Sequence, residues 1–364
     1  MIQPLLIHTE ASHGWGGQEM RILAEAQWFR DHDYRVEFIA RPDADLTKAA
    51  KKLDFTVHQR PLNKKSQLSD FFFCRKLFKK LRPHMVGTHS NIDSRVCLAA
   101  ATFAGVTHRI RYRHVSIPIK PSPWNHLIYR KFATKIITTA ESIAGPLRRD
   151  FKLSQDAAIS IPTGIQEPKN LISREDARLA LCKKLELSKD SRFIGQVSVL
   201  RRGKGHHDVM AAFEKMHENA PQYHLVFAGG GPGLASMPEQ AKQYSCHEKI
   251  HFLGHCDDPW LVFRALEIAT LASAAEGVPQ SAMQAMLCGC AFVGTKVGGI
   301  PEIIDDEVNG LLFPHSDPDS LAKILTRLSS EPETRARLAD KAIQWAKENT
   351  SLDQMANRTI ALMN

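Results

Sequence analysis

Apolar runs of strand length alternate with amphipathic stretches of helix length from the start of the chain. In the first half the spacing predicts strands at Leu5–Thr9, Arg35–Ala40, Phe55–His58, Met85–Thr88, His108–Arg111 and Lys135–Thr139. The second half repeats the style at Phe193–Val199, Leu225–Ala228, Ile250–Leu253, Ile268–Leu271 and Ala291–Gly294. Strands that alternate with helices predict a parallel sheet covered on both faces, the α/β class. Helical patterns at Ser320–Leu328, Glu333–Glu348 and Ser351–Met363 close the chain. The segment Ile161-Pro162-Thr163-Gly164-Ile165, with the polar stretch to Ser173, reads as a linker. The economical architecture is two Rossmann-like domains facing each other across a cleft, residues 1–166 and 167–348, followed by a C-terminal helix over 349–364.

A length of 364 residues agrees with two domains and exceeds one ordinary core. With 43% apolar and 24% charged residues the composition is that of a globular protein. No apolar run approaches the roughly 20 residues that span a bilayer. The opening MIQPLLIHTE lacks a basic region and reads as a buried strand, not a signal peptide. Seven scattered cysteines, with no second close pair beside Cys288 and Cys290, predict reduced thiols and a cytoplasmic setting. Charge changes the picture more. Residues 1–168 hold 26 Lys and Arg against 15 Asp and Glu, a balance of +11, and the remainder 22 against 24, a balance of −2. The basic half is the one expected to meet an anionic partner.

Candidate chemistry concentrates between Ser273 and Glu302. Two glycine turns, Glu276-Gly277-Val278-Pro279 and Gly298-Gly299-Ile300-Pro301, bracket a short helical pattern and a small apolar strand. Pro279 suits a first helical turn, where its missing amide hydrogen would be unpaired anyway. The amides and dipole at that helix start favour an anion or sugar hydroxyls. Gln284 lies eight residues after Glu276 and shares a helical face with Ser281.

Elsewhere, Leu200-Arg201-Arg202-Gly203-Lys204-Gly205 follows a strand and begins a helix, so its cations suit a diphosphate. The P-loop pattern is absent. The loop His13-Gly14-Trp15-Gly16-Gly17-Gln18-Glu19 is not Gly-x-Gly-x-x-Gly, which disfavours a nicotinamide enzyme; it serves equally as a tight turn or a ligand loop. His89 and His114 each sit just past a strand end. Arg109, Arg111 and Arg113 alternate along one strand, lining an acidic ligand's path or forming a solvated edge. Asp43-Ala44-Asp45 is explained more simply by helix capping than by metal, and no metal is expected.

The stretch from Glu276 to Glu302 resembles the donor motif of the retaining family-4 glycosyltransferases of GT-B fold. That motif has an acid, seven intervening residues, a second acid, and a Gly-Gly-x-Pro-Glu turn. Glu276 matches the first acid, and Gln284 stands where the second is usual. The resemblance covers nearly the whole chain. It implies a crossing of the last helix back to the N-domain and a diphosphate approach by Gly16 and Gly17. It places His114 beside the transferred sugar and backbone near Gly254 and His255 at the nucleobase. Val199 stands where the family has an arginine, so Arg201 or Arg202 must substitute beside Lys204. The expected donor set is therefore Gly16, Gly17, Arg201, Arg202, Lys204, Gly254, His255, Glu276, Gly277, Val278, Pro279, Ser281 and Gln284, with His114, Glu276 and Lys204 as the catalytic group. The implied co-substrate is a UDP-, GDP- or ADP-linked sugar, with no resident cofactor and no nucleic-acid partner. The implied acceptor is a glycan or glycolipid such as a lipopolysaccharide core. A phosphorylase or epimerase of the same fold, and a non-catalytic nucleotide-sugar-binding protein, are the rival readings.

Leu68–Leu81 carries Leu68, Phe71, Phe72, Phe78 and Leu81 near one helical face and four cations elsewhere. A helix packed on the sheet is the simpler reading. A helix lying on an anionic membrane surface is the alternative.

Overall fold

A computed structural model describes residues 3–168 and 170–363. The chain divides into two compact units, one comprising the residues up to Gln166 together with those from Ser351 on, the other Glu167–Thr350.

The sheet of the first unit has strands β1 (Leu5–Glu10), β2 (Arg35–Ala40), β3 (Thr56–Gln59), β4 (Met85–Thr88), β5 (His108–Arg113), β6 (Lys135–Thr138) and β7 (Ala158–Ser160), in the order β3-β2-β1-β4-β5-β6-β7. The second unit has β8 (Arg192–Val197), β9 (Tyr223–Ala228), β10 (Ile250–Gly254), β11 (Ile268–Leu271), β12 (Ala291–Thr295) and β13 (Leu311–Phe313), in the order β10-β9-β8-β11-β12-β13. Every strand pair is parallel. Strands covered on both faces read as continuous apolar runs, as Leu5–Ile7 and Leu225–Ala228 do; these residues are all buried. Strand order reverses between β1 and β4 in one sheet and between β8 and β11 in the other. Loops leaving adjacent strands there diverge to opposite faces, which opens a crevice at the carboxyl edge.

The helix Leu352–Ile360 belongs to the first unit, where it packs on the helix Gly17–Asp31. Met355 and Ala356 are buried, Trp28 Nε1 donates to Asp353 at 2.5 Å, and Thr359 Oγ1 donates to Glu25 at 2.9 Å. Burial pushes the Glu25 carboxyl pKa up and the Arg21 guanidinium pKa down, with their mutual attraction opposing both.

The helix Gln67–Leu81 splits its apolar residues differently from the single face expected. Cys74 and Phe78 point into the core, whereas Leu68 and Phe72 are 71% and 59% exposed, close to Phe103 at 61%. Phe71, half-buried against the core, makes edge contacts with exposed Phe72 and Phe103.

Candidate functional site

In the second unit the crevice lies between the loops after β8 and β11. Gln196, buried on β8, ties them together. Its Oε1 accepts from the Ala272 amide at 3.1 Å, and its Nε2 donates to the Lys204 carbonyl at 2.8 Å and to Ser198 Oγ at 3.1 Å. The Ala274 amide adds a bond to the Gly203 carbonyl at 2.9 Å. With both backbones fixed, Lys204 Nζ meets Glu276 Oε1 at 2.5 Å, their side chains only 16% and 13% exposed. A one-sided contact leaves two ammonium hydrogens and the second carboxylate oxygen for a ligand. Sequence reasoning missed Gln196, whose only signal is an amide inside an otherwise apolar strand.

The Glu276 turn rests on the second glycine turn, backbone against backbone. Gly298 has φ +55°, and a Cβ there would lie 1.9 Å from the Glu276 carbonyl oxygen. The helix Gln280–Leu287 then begins one residue later than expected. Pro279, at φ −78° and ψ 126°, is its N-cap and not its first helical residue, because its ψ is still extended. Val278 is buried, so its side chain serves as an anchor and only its backbone is open to a ligand. Ser281 is half-buried in the first turn. Gln284 is 9% exposed, and its amide makes no hydrogen bond among the described residues.

Arg201 and Arg202 are exposed, and neither side chain is paired among the described residues. The loop Gly229–Gly233 closes against them from β9: the Gly230 carbonyl accepts from the Leu200 amide, and the Gly233 amide donates to the Leu200 carbonyl, both at 2.8 Å. Gly254 ends β10 and accepts from the Gly229 amide at 2.8 Å, while the adjoining His255 is exposed and lies 3.4 Å from Asp257. Four separate stretches of sequence thus meet at one sheet edge. His206 stands behind them, its Nε2 3.2 Å from Ser198 Oγ, and burial lowers its pKa to about 4.

In the first unit, Gly16 is the N-cap of the helix that Gly17 begins. Two carboxylates brace the loop from below. Glu10 accepts from the Ser12 amide at 2.7 Å and from the Gln18 and Ser90 side chains, and Glu19 accepts from Ser12 Oγ at 2.5 Å. Asp43 and Asp45 do not cap the helix Asp45–Lys52, whose N-cap is Ala44 without a side-chain bond. Asp43 pairs with His13 at 3.0 Å and Asp45 with Lys48 at 2.9 Å, because both side chains turn outward.

His89 and His114 belong to one chain of three rings. His8 Nδ1 lies 3.0 Å from His89 Nε2, and His89 Nδ1 lies 3.0 Å from His114 Nε2. Burial lowers all three pKa values, His8 to about 4 and the others well below the ordinary range, with neighbouring arginines and, for His89, the adjacent histidines adding to it. The rings are therefore neutral near pH 7, and each bond needs one donor and one acceptor. His8 Nε2 is buried without a partner among the described residues. Keeping it a bare lone pair avoids an orphaned buried N–H, so the protons run from His8 toward His114, which keeps its own proton on Nδ1. His8 escaped sequence reasoning because it sits within an apolar strand.

Residues 178–345 match the family described as "Glycosyl transferases group 1", and residues 15–167 match "Glycosyltransferase Family 4". A D-inositol 3-phosphate glycosyltransferase of Saccharomonospora viridis is 27% identical over 226 residues, 59% of this chain and 52% of that protein. The O-antigen biosynthesis glycosyltransferase WbnH of Escherichia coli is 29% identical over 184 residues, 50% of this chain and 51% of that protein. The chain spans about half the length of the curated relatives it matches. The crystal structure of Anabaena HepE in complex with UDP superposes with a TM-score of 0.85 at 17% identity, over 99% of both chains, a likeness of fold.

Proposed function

Since the chain belongs to the family-4 glycosyltransferases and has their GT-B fold, we propose that it moves a sugar from a nucleotide-sugar donor to an acceptor hydroxyl with retention of anomeric configuration. The observation that carries this reading is the Lys204–Glu276 pair at the strand-order reversal, flanked by two exposed arginines, Arg201 and Arg202.

As the bond to the diphosphate breaks, negative charge grows on the leaving oxygen. Lys204, with Arg201 or Arg202, meets that charge, and amides at the start of the helix Gln280–Leu287 add to it. Glu276 accepts from the sugar's hydroxyls through its second oxygen while Lys204 holds the first. Gln284 takes the nucleotide ribose as a neutral donor and acceptor, with no acid–base duty. His114 belongs to the first unit, where, as a neutral ring, it is a hydrogen-bonding group and not a charged acid.

Thermal unfolding against UDP, GDP, ADP and their sugar conjugates tests the donor assignment. A hundredfold excess over Kd stabilises the bound state by about 2.7 kcal/mol. For a unit of this size that raises Tm by roughly 5–10 °C. One nucleotide is expected to do so, and a flat response to all of them would overturn the assignment. Product analysis with the sugar conjugate then separates transfer from mere binding.

The acceptor proposed is a glycan or glycolipid of the cell envelope. The basic balance of the first half and the O-antigen role named for WbnH support that choice. Exposed Leu68 and Phe72, with Lys76, Lys79 and Lys80 on the same helix, support attachment to an anionic membrane surface. Reversing the three lysine charges is expected to abolish sedimentation with anionic vesicles, and undiminished binding would exclude this helix.

A further inference from the structure

Strand β5 carries Arg109, Arg111 and Arg113 on one face, and the three fare differently. Arg109 is spent on the carbonyls of Phe132 and Val106, at 2.7 and 2.6 Å. Arg111 and Arg113 are 2% and 7% exposed, which rules out a solvated edge. Arg111 donates to the carbonyls of Thr88 at 3.2 Å and Tyr112 at 2.5 Å, and to Asn91 Oδ1 at 3.3 Å; Arg113 donates to the Ile117 carbonyl. Those acceptors satisfy hydrogen bonds and leave the charge uncompensated. Among the described residues, no carboxylate lies within ion-pairing distance of either guanidinium.

Asp93 is the acidic group that feels Arg111. Its carboxylate is already engaged by Thr9 Oγ1 at 2.8 Å and the His89 amide at 2.9 Å. Burial and the neighbouring Glu10 push its pKa up to about 7, so it does not supply a full negative charge. Buried charges are otherwise paired, because leaving one unpaired is costly. Arg111 and Arg113 both line a cavity of about 230 Å³, together with exposed Arg95 and Asn91, half-buried Asn125 and buried Tyr129. The same cavity is bordered by Val115 and Ile117, which are 44% and 68% exposed, and by buried Ile128.

We propose that this cavity binds the phosphate group of a phosphate ester whose other substituent is apolar. Two guanidinium forks already oriented by neutral acceptors match a phosphate's oxygens, and Arg95 supplies a third cation at the mouth. Val115 and Ile117 would shield an alkyl chain that leaves the mouth, which a free phosphate or a polyol phosphate would not exploit. As an acceptor subsite the cavity rests on the glycosyl-transfer reading. As an anion site it does not.

Titration of the full chain with hexyl phosphate, glycerol phosphate and hexanol tests the proposal. Hexyl phosphate is expected to bind saturably, hexanol not at all, and glycerol phosphate distinctly more weakly. Arg113→Gln and Arg95→Gln should each weaken hexyl phosphate roughly tenfold, the scale of a lost charge-assisted hydrogen bond. Arg95 is exposed, so its variant reports even where Arg113→Gln disturbs folding. Equal binding of glycerol phosphate would overturn the apolar half of the proposal, and the absence of saturable hexyl phosphate binding would overturn the site. Nucleotide affinity should be unchanged in Arg95→Gln. A flat nucleotide response beside intact hexyl phosphate binding would sink the transfer reading and leave this cavity standing.

Discussion

Replacing Glu276 by alanine is expected to lower kcat for glycosyl transfer by about two to three orders of magnitude, the scale of losing one preorganised electrostatic contact. Two effects combine. In the proposed donor site the sugar loses the carboxylate of Glu276, and Lys204 loses its partner at 2.5 Å in surroundings where both side chains are mostly buried. Glu276→Gln separates them, since an amide still accepts from a hydroxyl but no longer balances the ammonium charge. Its rate should fall between those of the wild type and the alanine variant. Gln284→Glu is the counterpart, expected to leave transfer within an order of magnitude because only a neutral ribose contact changes, about 1 kcal/mol. Steady-state kinetics on the four proteins decides the matter. A fully active Glu276→Ala protein would remove Glu276 from the site.

Gly298→Ala should do nearly as much without touching a charged group. Its φ of +55° strains any other residue by roughly 1–3 kcal/mol. The added Cβ would also meet the Glu276 carbonyl oxygen at 1.9 Å, so the turn that carries Glu276 must move. Gly203→Ala isolates the strain: φ there is +86°, but nothing lies within 4 Å of the new Cβ. Both variants should lose stability, and only Gly298→Ala should lose transfer out of proportion to its drop in Tm. Equal kinetic losses would mean that the contact of the two turns does not position Glu276.

Strands were legible where they are buried on both faces, since an unbroken apolar run of five or six residues has few other uses. The pattern over-ran β8 by two residues and under-ran β5 by two, because alternating Arg111 and Arg113 conceal a strand that continues to its end. Ala158–Ser160 and Leu311–Phe313 went unseen, as three residues carry no period. The donor motifs were visible as glycine turns at strand ends, and their meeting follows from the sheet order, which no single turn encodes. Gln196 and His8 were invisible for a common reason: a polar residue inside a strand looks like noise until its partners from distant segments are known. The helix Gln67–Leu81 shows the reverse case. Its apolar residues were counted correctly, and only packing reveals that Leu68 and Phe72 are left outside.

The helix Leu352–Ile360 makes the first unit discontinuous in the chain, with all of Glu167–Thr350 inserted between its two parts. Glu25 and Thr359, hydrogen-bonded in the folded protein, are 334 residues apart. During synthesis all of the second unit leaves the ribosome before Thr359 does. The first unit must meanwhile wait with Trp28 and Glu25 uncovered, and it closes by capturing a segment made after the second unit. A folded insert shortens the effective loop that this closure must bridge, so the second unit acts on the first as a scaffold in time.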